Sequence, residues 1–171
     1  MSEKNRSAAA PEDDPREVTI TRTFDVPARI LFEAHSSPEH VLVWFGPPSC
    51  PLSLCEMDFR VGGRYRFAMK NPDGELMTPF SGEYLAIEKD RKISYSNTME
   101  LPNAETMIVT LTFEESNGRT TLTHHTRFGS AAMKKDHLGR GYFDGVGASL
   151  ELLAALAHAM ERADAAKKGR P

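Results

Sequence analysis

Four polar side chains, Tyr84, Tyr95, Asn97 and His124, fall on the apolar phase of segments that alternate like strands. A phenol, amide or imidazole aimed at an apolar interior needs a partner, because each one left unpaired costs about 1–3 kcal/mol. Such groups satisfy one another or a water, or they are the few polar contacts that orient a ligand. An imidazole beside a phenol, His124 with Tyr95, also has the types for general acid–base work. His124 and His125 are adjacent, so on a strand they point to opposite faces and do not chelate together. His35 and His40 lie in a helix–turn region with no cysteine or acidic cluster to complete a metal site. No metal and no cofactor is expected, and no G-x-S-x-G elbow is present.

The stretch FRVGGRYRF, Phe59 to Phe67, poses a second chemical question. Glycine pairs flanked by arginines cradle phosphates when they open a helix. Here Gly62 and Gly63 separate two alternating segments, and no Lys-Ser/Thr follows. The pair reads as a tight hairpin with positive φ. Arg60, Arg64 and Arg66 share one strand face, opposite Tyr65, Phe67 and Met69. A weak anion-binding patch is the alternative.

The chain of 171 residues suits one domain, with 40% hydrophobic and 26% charged residues. A net charge of −3 without a basic half argues against nucleic-acid binding. No apolar run is long enough to insert in a membrane. The start, MSEKNRSAAAPEDDPRE, lacks the apolar core of a secretory signal, which points to a cytoplasmic location. Residues 1–16 read as a disordered tail, 17–165 as the folded domain and 166–171 as a second tail. Cys50 and Cys55, five apart on a predicted strand, read as two reduced thiols.

Several elements must position the polar groups. Val18 to Val26 is a β-branched strand stopped by Pro27, which opens a short helix through Ser36. Ser37 and Pro38 start a second short helix ending at Phe45. Six strands follow: 52–59, 63–70, 78–88, 92–99, 105–115 and 119–128. Asn71-Pro-Asp-Gly74, Lys89-Asp-Arg91 and Ser116-Asn-Gly118 supply the turns, so the sheet is an antiparallel meander. Ser130 caps a helix over AAMKKDHL. Phe143, Val146, Leu150, Leu153, Ala157 and Met160 then recur at intervals of three and four, one face of a long helix. Gly139, Gly141, Gly145 and Gly147 in this region mark either close backbone approach or a kink at a cavity mouth, or else close helix–sheet packing or a break after which the helix proper starts near Asp144. The chain is α+β, with a single sheet whose buried face only the last helix is long enough to cover. A gap between a curled sheet and that helix is a ligand cavity.

Val26-Pro27-Ala28 with Phe32, Trp44-Phe45-Gly46-Pro47, the run Met57 to Tyr65 and Gly82-Glu83-Tyr84 with Ile87 form one pattern. Val109 to Phe113, Thr121-Leu122-Thr123 and the closing Gly141…Gly145…Leu150…Leu153 complete it. In these residues the sequence resembles the helix-grip, START-type superfamily of lipid carriers (SRPBCC), and within it the subfamily named after the C-terminal domain of the activator of heat-shock-chaperone ATPase. The resemblance implies a curved antiparallel sheet of about six to seven strands wrapped on a long C-terminal helix, with two short helices after the first strand.

The expected activity is binding of a small apolar or aromatic molecule between sheet and helix. Trp44, Phe67, Met69, Phe80 and Tyr84 would line the site with Tyr95, His124, Phe143 and Leu150. Relatives that act as cyclases or dehydratases make an enzyme using His124 and Tyr95 one alternative. A chaperone-contacting module is the other, although the outer sheet face reads as solvated. The oligomeric state is open.

Overall fold

The computed structural model describes residues 8–9 and 14–169. A two-residue strand, β1 (Ala8–Ala9), precedes β2 (Glu17–Phe24). Helices α1 (Ala28–Ala34) and α2 (Pro38–Trp44) follow. The meander is β3 (Leu52–Met57), β4 (Arg64–Met69), β5 (Phe80–Glu88), β6 (Lys92–Met99), β7 (Thr106–Ser116) and β8 (Arg119–Arg127). The chain closes with α3 (Ala131–Gly139) and α4 (Tyr142–Lys168).

All strands join one antiparallel sheet in the order β1-β2-β8-β7-β6-β5-β4-β3. The first long strand therefore lies against the last, and the curved sheet presents one face to α4. Turn chemistry accounts for the links. Asn117 (φ 53°) and Gly118 (φ 75°) close β7 onto β8, the left-handed pair that a two-residue hairpin requires. At the glycine pair, Gly62 supplies the positive φ of 82°. Gly63 is needed for space instead, since a Cβ there would sit 2.0 Å from the Asp58 carbonyl. The pair is thus a strand-to-strand turn. Arg60 and Arg66 are spent on Asp58 and Glu100, at 2.8 and 2.9 Å.

The predicted tail before Arg16 differs in part. Ala8 and Ala9 pair with Thr21 and Ile20, so their backbone covers the otherwise open edge of β2. Residues 1–7 and 10–13 of that tail lie outside the described residues. At the other end, α4 runs past residue 165 to Lys168, with Gly169 as its C-cap. Lys168 also pairs with Asp164 one turn back, which supports this last turn. Residues 170–171 lie outside the described residues.

The core lies between sheet and helices. Ile20, Val109, Leu122, Ile30, Leu31 and Leu153 are almost fully enclosed. Three polar ties fix the layers. The Trp44 indole N–H donates to the Ala34 carbonyl (2.8 Å), locking α2 to the end of α1. The Gly46 amide donates to Ser149 Oγ (3.0 Å), locking α2 to α4. Arg22, buried on the inner face of β2, reaches Glu151 at 2.9 Å and the Gly147 carbonyl at 3.3 Å.

Candidate ligand cavity

Strand phase sets which side chains look inward. β8 pairs with both neighbours without a register shift, so His124 faces α4 while His125 turns out toward Glu17 (3.6 Å). β6 pairs with β7 in continuous register, which carries Tyr95 and Asn97 to the same inner face. The β5–β6 ladder has a bulge, but only beyond Tyr84, so Phe80, Gly82 and Tyr84 keep their inward phase.

Phe80, Tyr95, Asn97 and His124 line a cavity of about 470 Å³ between the sheet and α4. That is within the range of small-molecule sites. Of the nine predicted site residues, Trp44, Met69, Phe80, Tyr95, His124 and Leu150 lie on its wall. Phe67 and Tyr84 face inward but border a separate void of about 40 Å³ under α2, with space for only a few waters. His35, Trp44, Phe45, Tyr95 and Leu111 form the partition that both spaces share. Phe143 lies off the cavity wall. It is 38% exposed, and its neighbour Tyr142 takes the inward position. The inward stripe of α4 runs Tyr142, Val146, Ser149, Leu150 and Leu153, and Phe143 stands well off the centre of that stripe.

The glycine question resolves locally. α3 stops at Gly139, and Gly141, at φ 86°, is the left-handed cap from which α4 starts. A side chain at Gly145, on the cavity wall, would meet no atom within 4 Å.

Sequence reasoning missed several wall residues. The most consequential is His35. Its Nδ1 donates to the Leu31 carbonyl (2.7 Å) at the end of α1, and its ring lies 4.6 Å from the Trp44 ring. Met99 and Met107 were accessible by extending the strand phase two residues from Asn97 and Val109. Met133 and His137 share one side of α3 by helical spacing, and Arg140 is its C-cap.

The electrostatics of the wall are those of a neutral interior. Burial lowers His35 to about 4. Burial also lowers His124 to about 4, assisted by the nearby His35 and His125 and opposed by a contact with its own backbone. His124 keeps some accessible surface and lies on the cavity wall. Desolvation pushes the Tyr142 phenol up to about 12 and the Tyr95 phenol further still. Tyr142 is satisfied by Thr126 at 2.6 Å. His124 Nδ1 is fully enclosed and has no hydrogen-bond partner among the described residues. The side chains of Tyr95 and Asn97 likewise have no protein partner among the described residues. Among those residues no group of three or more His, Cys, Asp or Glu side chains is arranged to hold a metal ion. No helix among them is long and apolar enough to cross a membrane.

A curved antiparallel sheet gripping a long C-terminal helix, with a cavity between them, defines a helix-grip protein of the SRPBCC type. The likeness to solved structures agrees. One from Nitrosomonas europaea is 21% identical, covers 88% of this chain and 99% of its own, and superposes with a TM-score of 0.78. One from Mycobacterium smegmatis is 26% identical, covering 90% and 98%, with the same TM-score of 0.78. A third, from Staphylococcus epidermidis, is 25% identical, covering 87% and 93%, with a TM-score of 0.72. Within that class the chain belongs to the family of activator of Hsp90 ATPase homolog 1-like proteins, whose model matches residues 25–158. No curated protein matches it. The fold of this family commonly binds hydrophobic ligands.

Proposed function

We propose that this protein binds a small, predominantly apolar or aromatic molecule between its sheet and α4. One observation carries the reading: a 470 Å³ cavity with a mostly apolar wall, into which the fold also turns polar groups that have no hydrogen-bond partner among the described residues. A ligand burying about 200 Å² of apolar surface gains about 5 kcal/mol from leaving water. His124, Tyr95 and Asn97 then supply orientation rather than bulk affinity. Trp44, Met69, Phe80 and Leu150 form the apolar surface it contacts.

This reading draws more support than a proton-transfer one. A histidine held at about 4 is a weak base at neutral pH, so His124 suits hydrogen bonding better than abstraction. A chaperone-contacting role draws less support, since among the described residues the strands expose one large apolar side chain, Leu85 of β5. A cytoplasmic location fits the two free cysteines, with the Cys55 thiol pushed up to about 11 by burial and therefore poorly reactive.

Native mass spectrometry of protein purified gently from its own cells tests the reading, together with titration of apolar and aromatic compounds against Trp44 fluorescence. The expected result is a mass excess lost on denaturation, or saturable binding that Val146→Trp abolishes by filling the cavity. A bare mass with no titration response across the panel overturns it.

A further inference from the structure

The cavity reading leaves the polarity of the ligand open, and His35 closes that question. A backbone carbonyl only accepts, so the short contact to Leu31 requires that His35 Nδ1 carry the proton. Nε2 then presents a lone pair. It has no protein partner among the described residues, and the ring forms part of the cavity wall. The residue is only 8% exposed, and Trp44 and Phe113 hold the ring in place, with centroids at 4.6 and 5.4 Å. The acceptor is therefore fixed in direction and identity.

The rest of the wall offers an anion at that depth no counter-charge, only the neutral donors of Tyr95 and Asn97. Its only permanently charged side chain is Arg140, which is 80% exposed and paired to Asp136 at 3.1 Å. Arg22, the buried cation of the inner face, is directed at Glu151 and Gly147 and is not on the wall. A carboxylate pushed against the partition would meet a lone pair and lose its hydration without a counter-charge.

Resting on the cavity reading, we propose that the ligand is a neutral molecule bearing a hydrogen-bond donor, a phenolic or alcoholic hydroxyl on an apolar skeleton. His35 Nε2 accepts that hydroxyl proton at the inner partition and so determines specificity. The low proton affinity of the buried ring keeps the acceptor available throughout the neutral and mildly acidic range. His35 is a selecting residue in this account and carries out no chemistry.

Three probes of one skeleton separate the possibilities: naphthol, methoxynaphthalene and naphthoate, each titrated by calorimetry into the full chain. Naphthol should bind about tenfold more tightly than methoxynaphthalene, the difference of one buried hydrogen bond, and naphthoate weakest of all. In His35→Phe, which keeps an aromatic ring against Trp44, naphthol and methoxynaphthalene should bind alike. If that variant does not fold, imidazole nitrogen NMR on the unaltered protein decides. The unprotonated nitrogen should be Nε2, and its resonance should move on adding naphthol but not methoxynaphthalene. Equal affinity for all three probes in the unaltered protein overturns the assignment to His35 while leaving the cavity reading intact. So does a lone pair on Nδ1. Failure of every probe to bind overturns both.

Discussion

Acidification should destabilise this fold through two histidines, by an amount that the structure sets. His35 and His124 are each depressed from 6.5 to about 4, because burial penalises the imidazolium. The unfolded chain takes up protons as the pH falls through about 6.5, while the folded chain does not until about 4. The contribution is therefore fully present above the unfolded value, is lost between about 6.5 and 4, and levels off below that. Each group is worth up to about 3 kcal/mol over the whole window and about 2 kcal/mol between pH 7 and pH 5. Together they remove about 4 kcal/mol at pH 5, a large share of the stability of an ordinary domain. Urea unfolding followed by far-ultraviolet circular dichroism at pH 7, 6 and 5 measures this as a falling midpoint at constant slope. His35→Phe and His124→Phe should each remove about half of the pH dependence, whatever they do to absolute stability, since the other histidines are common to all three proteins. A pH dependence unchanged in both variants would refute the argument that these two rings are held neutral by burial.

Other perturbations follow from packing. Gly82→Ala places a Cβ 1.8 Å from the Ser96 carbonyl on the facing strand, so β5 and β6 must separate. A loss of at least about 3 kcal/mol is expected by chemical denaturation, and a near-neutral result would contradict the strand register. Ser130→Ala removes the hydroxyl that accepts from the Met133 amide at 3.1 Å, and should cost about 1 kcal/mol in the same assay. Phe143→Ser should leave stability within about 0.5 kcal/mol and ligand affinity unchanged, because the ring lies off the cavity wall. A large loss of binding in that variant would restore Phe143 to the site.

Much of the scaffold was legible in local sequence. Asn117-Gly118 and the alternation on either side defined the β7–β8 hairpin, and Lys92–Met99 was bounded to the residue. His124 could be aimed inward because nothing in β8 disturbs a period of two. The limits arise where direction depends on tertiary placement. His35 sits at the end of a seven-residue helix, and only the packing of α1 against α4 and the sheet turns its ring to the partition. Phe67 and Tyr84 obey strand phase, yet sheet curvature brings them beneath α2 rather than α4. Phe143 shares a seven-residue interval with Leu150, but helix periodicity alone does not fix where the centre of the buried stripe falls. Tyr142 took that position through its bond to Thr126.

The methionines of the wall have a consequence for how such a site changes over time. Met69, Met77, Met99, Met107 and Met133 all border the cavity, five of the eight methionines in the chain. A thioether on an unbranched stem re-packs around different shapes at little energetic cost. The histidine, tyrosine and asparagine groups are instead held by strand phase and ring packing. The pocket thus joins a compliant lining to a stiff polar reading head. On the proposed reading, a change of ligand outline over time costs this wall little, whereas a changed hydrogen-bond pattern needs new polar side chains.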